Sequence, residues 1–189
     1  MKKLLLSTIT IFSVSILVAQ NQHLSFKGIP IDGTLNDYVL KMKTAGFRHI
    51  ETIDGIASLK GDFAGYKDCS IYVQTLKPQN LVSEIVVSFP SRNQWYEVCS
   101  DYKKLKEMLI TKYGIPKKVK EEFSGHPSDP EKLNQIGDYK GFYYSIFELS
   151  NGRLTLIVED ELFGYGHVNL WYTDRINSDK VNAAAINDL

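Results

Sequence analysis

Residues 91–116 read SRNQWYEVCSDYKKLKEMLITKYGIP, and this stretch decides the fold class. Trp95, Val98, Cys99, Tyr102, Leu105, Leu109 and Tyr113 recur at intervals of three and four, which gathers them on one stripe of an α-helix. So apolar a stripe has to be buried against another layer. Ser91 and Gln94 have the spacing of a capping box, and Pro90 and Trp95 that of a hydrophobic staple, so the helix is expected to begin at Ser91. At its far end Lys112 suits the negative pole of the dipole, Gly114 accepts a left-handed backbone and Pro116 forbids continuation.

Upstream of this helix the apolar period falls to two. Residues 48–52 and 56–63 flank Asp54-Gly55, a dipeptide that favours a tight hairpin turn. Two further strands, 68–76 and 81–89, place Cys69, Ile71 and Val73, then Ile85, Val87 and Phe89, on one side, with a turn at 77–80 between them. A shorter helix precedes these strands, with Thr34 and Asp37 as its cap, Leu35, Tyr38, Val39, Met42 and Ala45 as its stripe and Gly46 as its stop. Residues 26–31 read as an edge strand, since Pro30 cannot donate to a central ladder.

Downstream the same grammar returns. A strand at 117–123 leads into a polar excursion, 124–140, and strands follow at 141–149, 153–159 and 166–173, with hairpin chemistry at Ser150-Asn151-Gly152. The excursion has a length at which loops often bind or cover something, and it equally suits an insertion with no task. Residues 177–189 read as a short closing helix. Helix followed by four strands thus occurs twice, in pseudo-repeats of about 34–90 and 91–173. The expected fold is α+β: two α-β4 units forming one curved antiparallel sheet, both helices on one face and the other face open, plus a short C-terminal helix, in a single domain over 20–189.

In topology alone this plan resembles the β-lactamase-inhibitor-protein-like fold. The start Phe26-Lys27-Gly28-Ile29-Pro30-Ile31-Asp32-Gly33 behind an export signal resembles uncharacterised secreted proteins of Bacteroidetes bacteria, over most of the mature chain. The inhibitor offers no short motif to match residue by residue, so none of its inhibitory residues is carried over. What the likeness implies is a binding role, by analogy of fold.

Lys2 and Lys3, the apolar run 4–18 and Ala19-Gln20 have the three parts of a secretory signal peptide, 1–19, and the run is shorter than the roughly 20 apolar residues of a spanning helix. Leu17 is larger than the position three before the cut prefers, and no cysteine stands there for a lipid anchor. Cleavage after Ala19 leaves no integral membrane segment and a periplasmic or secreted protein. Basic and acidic residues number 22 each, 20 against 22 once Lys2 and Lys3 are removed, so no general field draws the chain to nucleic acid. Export places Cys69 and Cys99 where a pair can bridge, and both fall on apolar sides; a disulfide between them and two buried free thiols stand as equal readings.

Motifs with a stated mechanism are missing: there is no phosphate-binding glycine loop, no G-x-S-x-G and no H-E-x-x-H. His23, His49, His126 and His167 are too scattered to build a ligand set from one element, Glu159-Asp160-Glu161 and the set Asp174, Asn177 and Asp179 lack the calcium-loop pattern, and the nearness in sequence of Asp62 to Asp68 and of Asp129 to Glu131 does not establish the separation that glycosidase carboxylates need. No metal or cofactor is therefore expected, and the three consecutive acids read as a hairpin tip.

Strand parity gives the stronger signal. If the alternate apolar residues face the helices, then Tyr72, Gln74, Arg153, Asn169 and Trp171 face away, and Phe147 inward sends Tyr144 outward as well. Tyr, Trp and Arg together are typical of contact surfaces, although aromatic residues are also good strand formers. The leading expectation is an exported, non-catalytic binding module that holds a protein or peptide on the open sheet face through these six residues. The alternatives are a hydrolase-type enzyme whose site is assembled from dispersed residues such as Asp62, Glu84, Arg153 and His167, and a structural component of the cell envelope.

Overall fold

A computed structural model describes residues 22–76, 80–161 and 164–187; the expected signal peptide and most of the turn at 77–80 lie outside them. The chain runs β1 (Ser25–Phe26), β2 (Ile29–Pro30), α1 (Leu35–Thr44), β3 (Arg48–Ile53), β4 (Ile56–Phe63), β5 (Tyr66–Leu76), β6 (Leu81–Ser88), α2 (Trp95–Tyr113), β7 (Lys118–Phe123), α3 (Asp129–Gly137), β8 (Gly141–Leu149), β9 (Gly152–Glu161), β10 (Tyr165–Asp174) and α4 (Arg175–Asn187). β1 and β2 form a small hairpin, and the other strands form one eight-stranded sheet in the order β3-β4-β5-β6-β10-β9-β8-β7. Every pairing in it is antiparallel. The α+β architecture with helix and four strands twice over is thus present, and the two meanders meet at a seam between β6 and β10.

Across that seam the register is unbroken. Leu59, Ile71, Val87, Leu170, Leu156 and Ser145 are successive cross-strand partners, as are Ala57, Val73, Ile85, Tyr172, Leu154 and Phe147. All twelve are buried. The alternation expected from each strand therefore becomes one continuous apolar face, which α1 covers over β3 to β6 and α2 covers over β8 to β10.

The turns follow local chemistry. Asp54 and Gly55 take φ of 50° and 82°, Ala64 and Gly65 take 51° and 85°, and Lys27 and Gly28 take 52° and 78°. Two consecutive residues in the left-handed region match the twist of a two-residue hairpin, which is why the second is glycine in each. The third of these turns also corrects the single edge strand expected at 26–31, which is instead a hairpin.

The central helix starts later than its sequence suggests. Its cap is Gln94, with no side-chain capping bond, and Ser91 donates to the carboxylate of Glu161 instead. Tertiary pairing explains the change: Arg92 and Gly166 exchange both backbone hydrogen bonds at 2.8 Å, which keeps this segment extended beside the end of β10. The expected end survives, with Gly114 at φ 86°.

The excursion 124–140 is not a loop throughout, since α3 occupies its middle. Ser128 and Glu131 form a reciprocal capping box with Pro130 in the first turn, and Leu133 and Ile136 are buried one turn apart. α4 likewise begins before the expected Asn177, because the Asp174 carboxylate accepts from the backbone of Asn177 at 2.9 Å. The same carboxylate accepts from the Leu24 backbone at 2.7 Å, and the Asn177 amide donates to the carbonyls of Ile31 and Val82. These bonds tie the N-terminal hairpin, β6 and α4 together.

Cys69 and Cys99 are both free thiols, so of the two equal readings the structure carries the unbridged one, with Cys69 buried and Cys99 half-buried. Both do point to the helical side, but that side is shared between two helices. Cys69 lies on β5 in the half beneath α1, whereas Cys99 rides on α2 over the other half, beside Trp95. Burial pushes the Cys69 thiol up to about 11, which leaves it inert at neutral pH. Alkylation of the native protein at pH 8 is expected to label the half-buried Cys99 and spare Cys69, with both labelled only in denaturant; a native protein with no titratable thiol would instead reveal a bridge.

Tyr102 anchors α2 through a polar contact inside the core. Its hydroxyl is 2.7 Å from the Ser145 hydroxyl and donates to Glu121 at 3.1 Å, and Glu121 also pairs with Lys106 at 2.6 Å. Tyr102→Phe would leave the fully buried Ser145 hydroxyl without its partner. A loss of about 1–3 kcal/mol in urea unfolding, with an unchanged slope, is the expected outcome.

Candidate functional site

The face of the sheet turned away from α1 and α2 carries the second set of alternate residues, again in register across the seam. One row runs Ser58, Tyr72, Val86, Trp171, Thr155, Ile146. A parallel row, two residues along each strand, runs Lys60, Ser70, Ser88, Asn169, Ile157, Tyr144. Tyr72 and Trp171 thus stand on either side of Val86, which is only 4% exposed although it belongs to the outer face. The two rings are walls and Val86 is the floor between them.

Around this floor lies a groove of about 630 Å³, centred on β5, β6 and β10. Gln74 and Tyr72 line one side and Trp171 and Asn169 the other, while Pro90, Ser91, Glu161 and His167 close one end. Of the six expected contact residues, the structure therefore brings four together. Tyr144 and Arg153 share the face but not the groove: Lys118 lies over the Tyr144 ring at 5.4 Å, and Arg153 donates to Glu148 at 2.7 Å.

Charge within the groove is unevenly satisfied. On the β4–β5 side Lys60 pairs with Asp68 at 3.3 Å and Lys67 pairs with Asp62. The hydrogen bond from Lys67, helped by the Asp68 backbone amide, holds Asp62 below the usual carboxylate range. At the closed end Glu159 and Glu161 have no lysine or arginine partner among the described residues; Glu159 accepts from the Asn169 amide nitrogen and Glu161 from the Ser91 hydroxyl, with His167 Nδ1 at 4.0 Å. Asn169 is 6% exposed, and its Oδ1 accepts no hydrogen bond from the protein; His167 Nδ1 has no hydrogen-bond partner either.

This polar end was hidden by reading residues 159–161 as a hairpin tip. They are instead the last residues of β9, paired with Tyr165, Gly166 and His167. The signal that could have found them was the parity already used, since Glu159 and Glu161 follow Arg153, Thr155 and Ile157 at steps of two.

The residues weighed for a hydrolase do not converge. Asp62 sits at the bulge near the β4–β5 turn, Glu84 and Arg153 flank Thr173 in another row, and His167 alone enters the groove. Among the described residues, no group of three His, Cys, Asp or Glu side chains is arranged to hold a metal ion, and no helix is long and apolar enough to cross a membrane. Comparison with protein-family models, with curated proteins and with solved structures yields no match, so the chemistry of the groove is read from its own residues.

Glu84 shows how far this outer face departs from water. Burial raises its carboxyl above the usual range, and the Thr173 hydroxyl, donating at 2.7 Å, opposes the rise only in part. An acid raised in the folded state binds its proton more tightly there, so stability falls as pH climbs from the ordinary glutamate value, about 4.3, through the raised one. Glu84→Gln should accordingly be more stable than the parent at pH 7 and lose that advantage at pH 4. Urea unfolding at the two pH values checks this, and a variant less stable at pH 7 than the parent would contradict it.

Proposed function

We propose that this is an exported, non-catalytic binding module that holds an extended peptide segment of a protein in the groove on its outer sheet face. The observation that carries the reading is the placement of Tyr72 and Trp171 in one cross-sheet row, flanking Val86 and lining the same concave surface. Two rigid rings offer large contact area at small entropic cost, and a narrow apolar floor between them suits a side chain of a strand laid across the sheet. Seryl hydroxyls at Ser70 and Ser88 and the carboxamide of Gln74 supply polar contacts around that floor. Export is supported by the signal-like segment at 1–19.

Selection of displayed random peptides on the purified protein, followed by affinity measurement, tests the reading. Peptides are expected whose affinity falls at least about ten-fold for Trp171→Ala and for Tyr72→Ala, the loss typical of a central aromatic anchor, and hardly at all for Arg153→Ala. Failure to recover any peptide sensitive to Trp171 would remove the proposal.

A further inference from the structure

We propose that the closed end of the groove is a subsite for the guanidinium of an arginine side chain on the bound peptide; the inference rests on the binding role proposed above and names the chemistry its ligand must carry. Asn169 sets the requirement. Its Nδ2 is committed to Glu159, a carboxylate that can only accept, so the amide is oriented with Oδ1 away from that partner. That Oδ1 is buried and receives no donor from the protein, which is costly unless a ligand supplies one.

Two neighbours give the same sign. Glu161 is half-exposed beside His167, and neither it nor Glu159 behind Asn169 has a lysine or arginine partner among the described residues. Lys60 and Lys67 across the groove do not answer this charge, being paired with Asp68 and Asp62. His167 Nδ1, one outward position beyond Asn169 on β10, is a second buried atom without a hydrogen-bond partner, 4.0 Å from Glu161, and it donates or accepts according to its tautomer, so it sets no sign of its own. The end of the groove thus presents an unpartnered amide oxygen and two carboxylates, and a group that answers both must donate and be positive.

Trp171 selects among donors. It is the next outward residue of β10 on the other side of Asn169, so a ligand reaching Asn169 Oδ1 from the groove passes the indole. A guanidinium is planar, always charged, carries five N–H donors and no acceptor, and stacks on indole faces. It can donate to Asn169 with its charge turned toward Glu161 at the same end, while its stem lies along Trp171. An acidic side chain would meet Glu159 and Glu161, and an apolar one would leave Asn169 Oδ1 unsatisfied.

The test uses the purified protein and peptides recovered by display, each resynthesised with citrulline, lysine or leucine in place of its arginine. Expected are peptides dependent on Trp171 that share an arginine at one position, that weaken about ten-fold or more on replacement by citrulline, and that weaken similarly for Glu161→Gln and Asn169→Ala. Glu161→Gln changes an accessible side chain, so it keeps the test decisive if Asn169→Ala does not fold. Peptides dependent on Trp171 but indifferent to citrulline and to Glu161→Gln would overturn the arginine subsite and leave the groove standing. Absence of any peptide dependent on Trp171 would overturn both.

Discussion

The pairing of β6 with β10 is the constraint from which the rest of the structure follows. Five residue pairs, from Asn169 with Ser88 to Thr173 with Glu84, join two meanders into one sheet and align their side-chain parity. A slip of one residue at this seam would turn one unit's apolar set to water while the other's stayed inside. Because the seam is in register, Val87 meets Leu170 and Ile85 meets Tyr172 beneath the helices, and on the opposite face Val86 meets Trp171. One set of hydrogen bonds therefore builds both the core and the groove.

The same seam explains why the groove is central. Tyr72 comes from the first unit and Trp171 from the second, so neither unit alone has both walls. Strand partners lie about 5 Å apart, which puts the two rings roughly 10 Å from each other with β6 between them, a spacing that accommodates a side chain over Val86. The closed end depends on a third element: the segment before α2 stays extended through Arg92 and Gly166, and this delivers Ser91 to Glu161. The displaced start of α2 and the shape of the site are two outcomes of one local pairing.

Polar groups in the molecule fall into two kinds. Asp174, Asn177 and the Tyr102–Ser145 pair are buried with partners on several sides and fix the N-terminal hairpin, α4 and α2 in place. Asn169, which is buried, and His167, which is partly so, each hold a buried atom with no partner, and both residues line the groove. Buried groups are ordinarily satisfied, so the exceptions carry the information about what the surface accepts.

Much of this was legible in residue order. The stripe from Trp95 to Leu109, the period-two runs, Asp54-Gly55 and the glycine stops specified a helix and four strands twice over, because those patterns depend on burying one face of each element. They also fixed which side chains turn outward, and Tyr72, Gln74, Tyr144, Arg153, Asn169 and Trp171 all do so. Residue order left other matters to the folded chain. Ser91 and Gln94 satisfied a local capping rule that long-range pairing overrode, and Ser128-x-x-Glu131 with Leu133 and Ile136 announced α3 in a stretch that polarity made look like a loop. Parity along a strand is a local property set by backbone geometry. Which outward residues share a groove, which carboxylates lack a cation and which thiols lie in the same half of the core depend on strand order and helix placement, and those are decided only when distant segments pair.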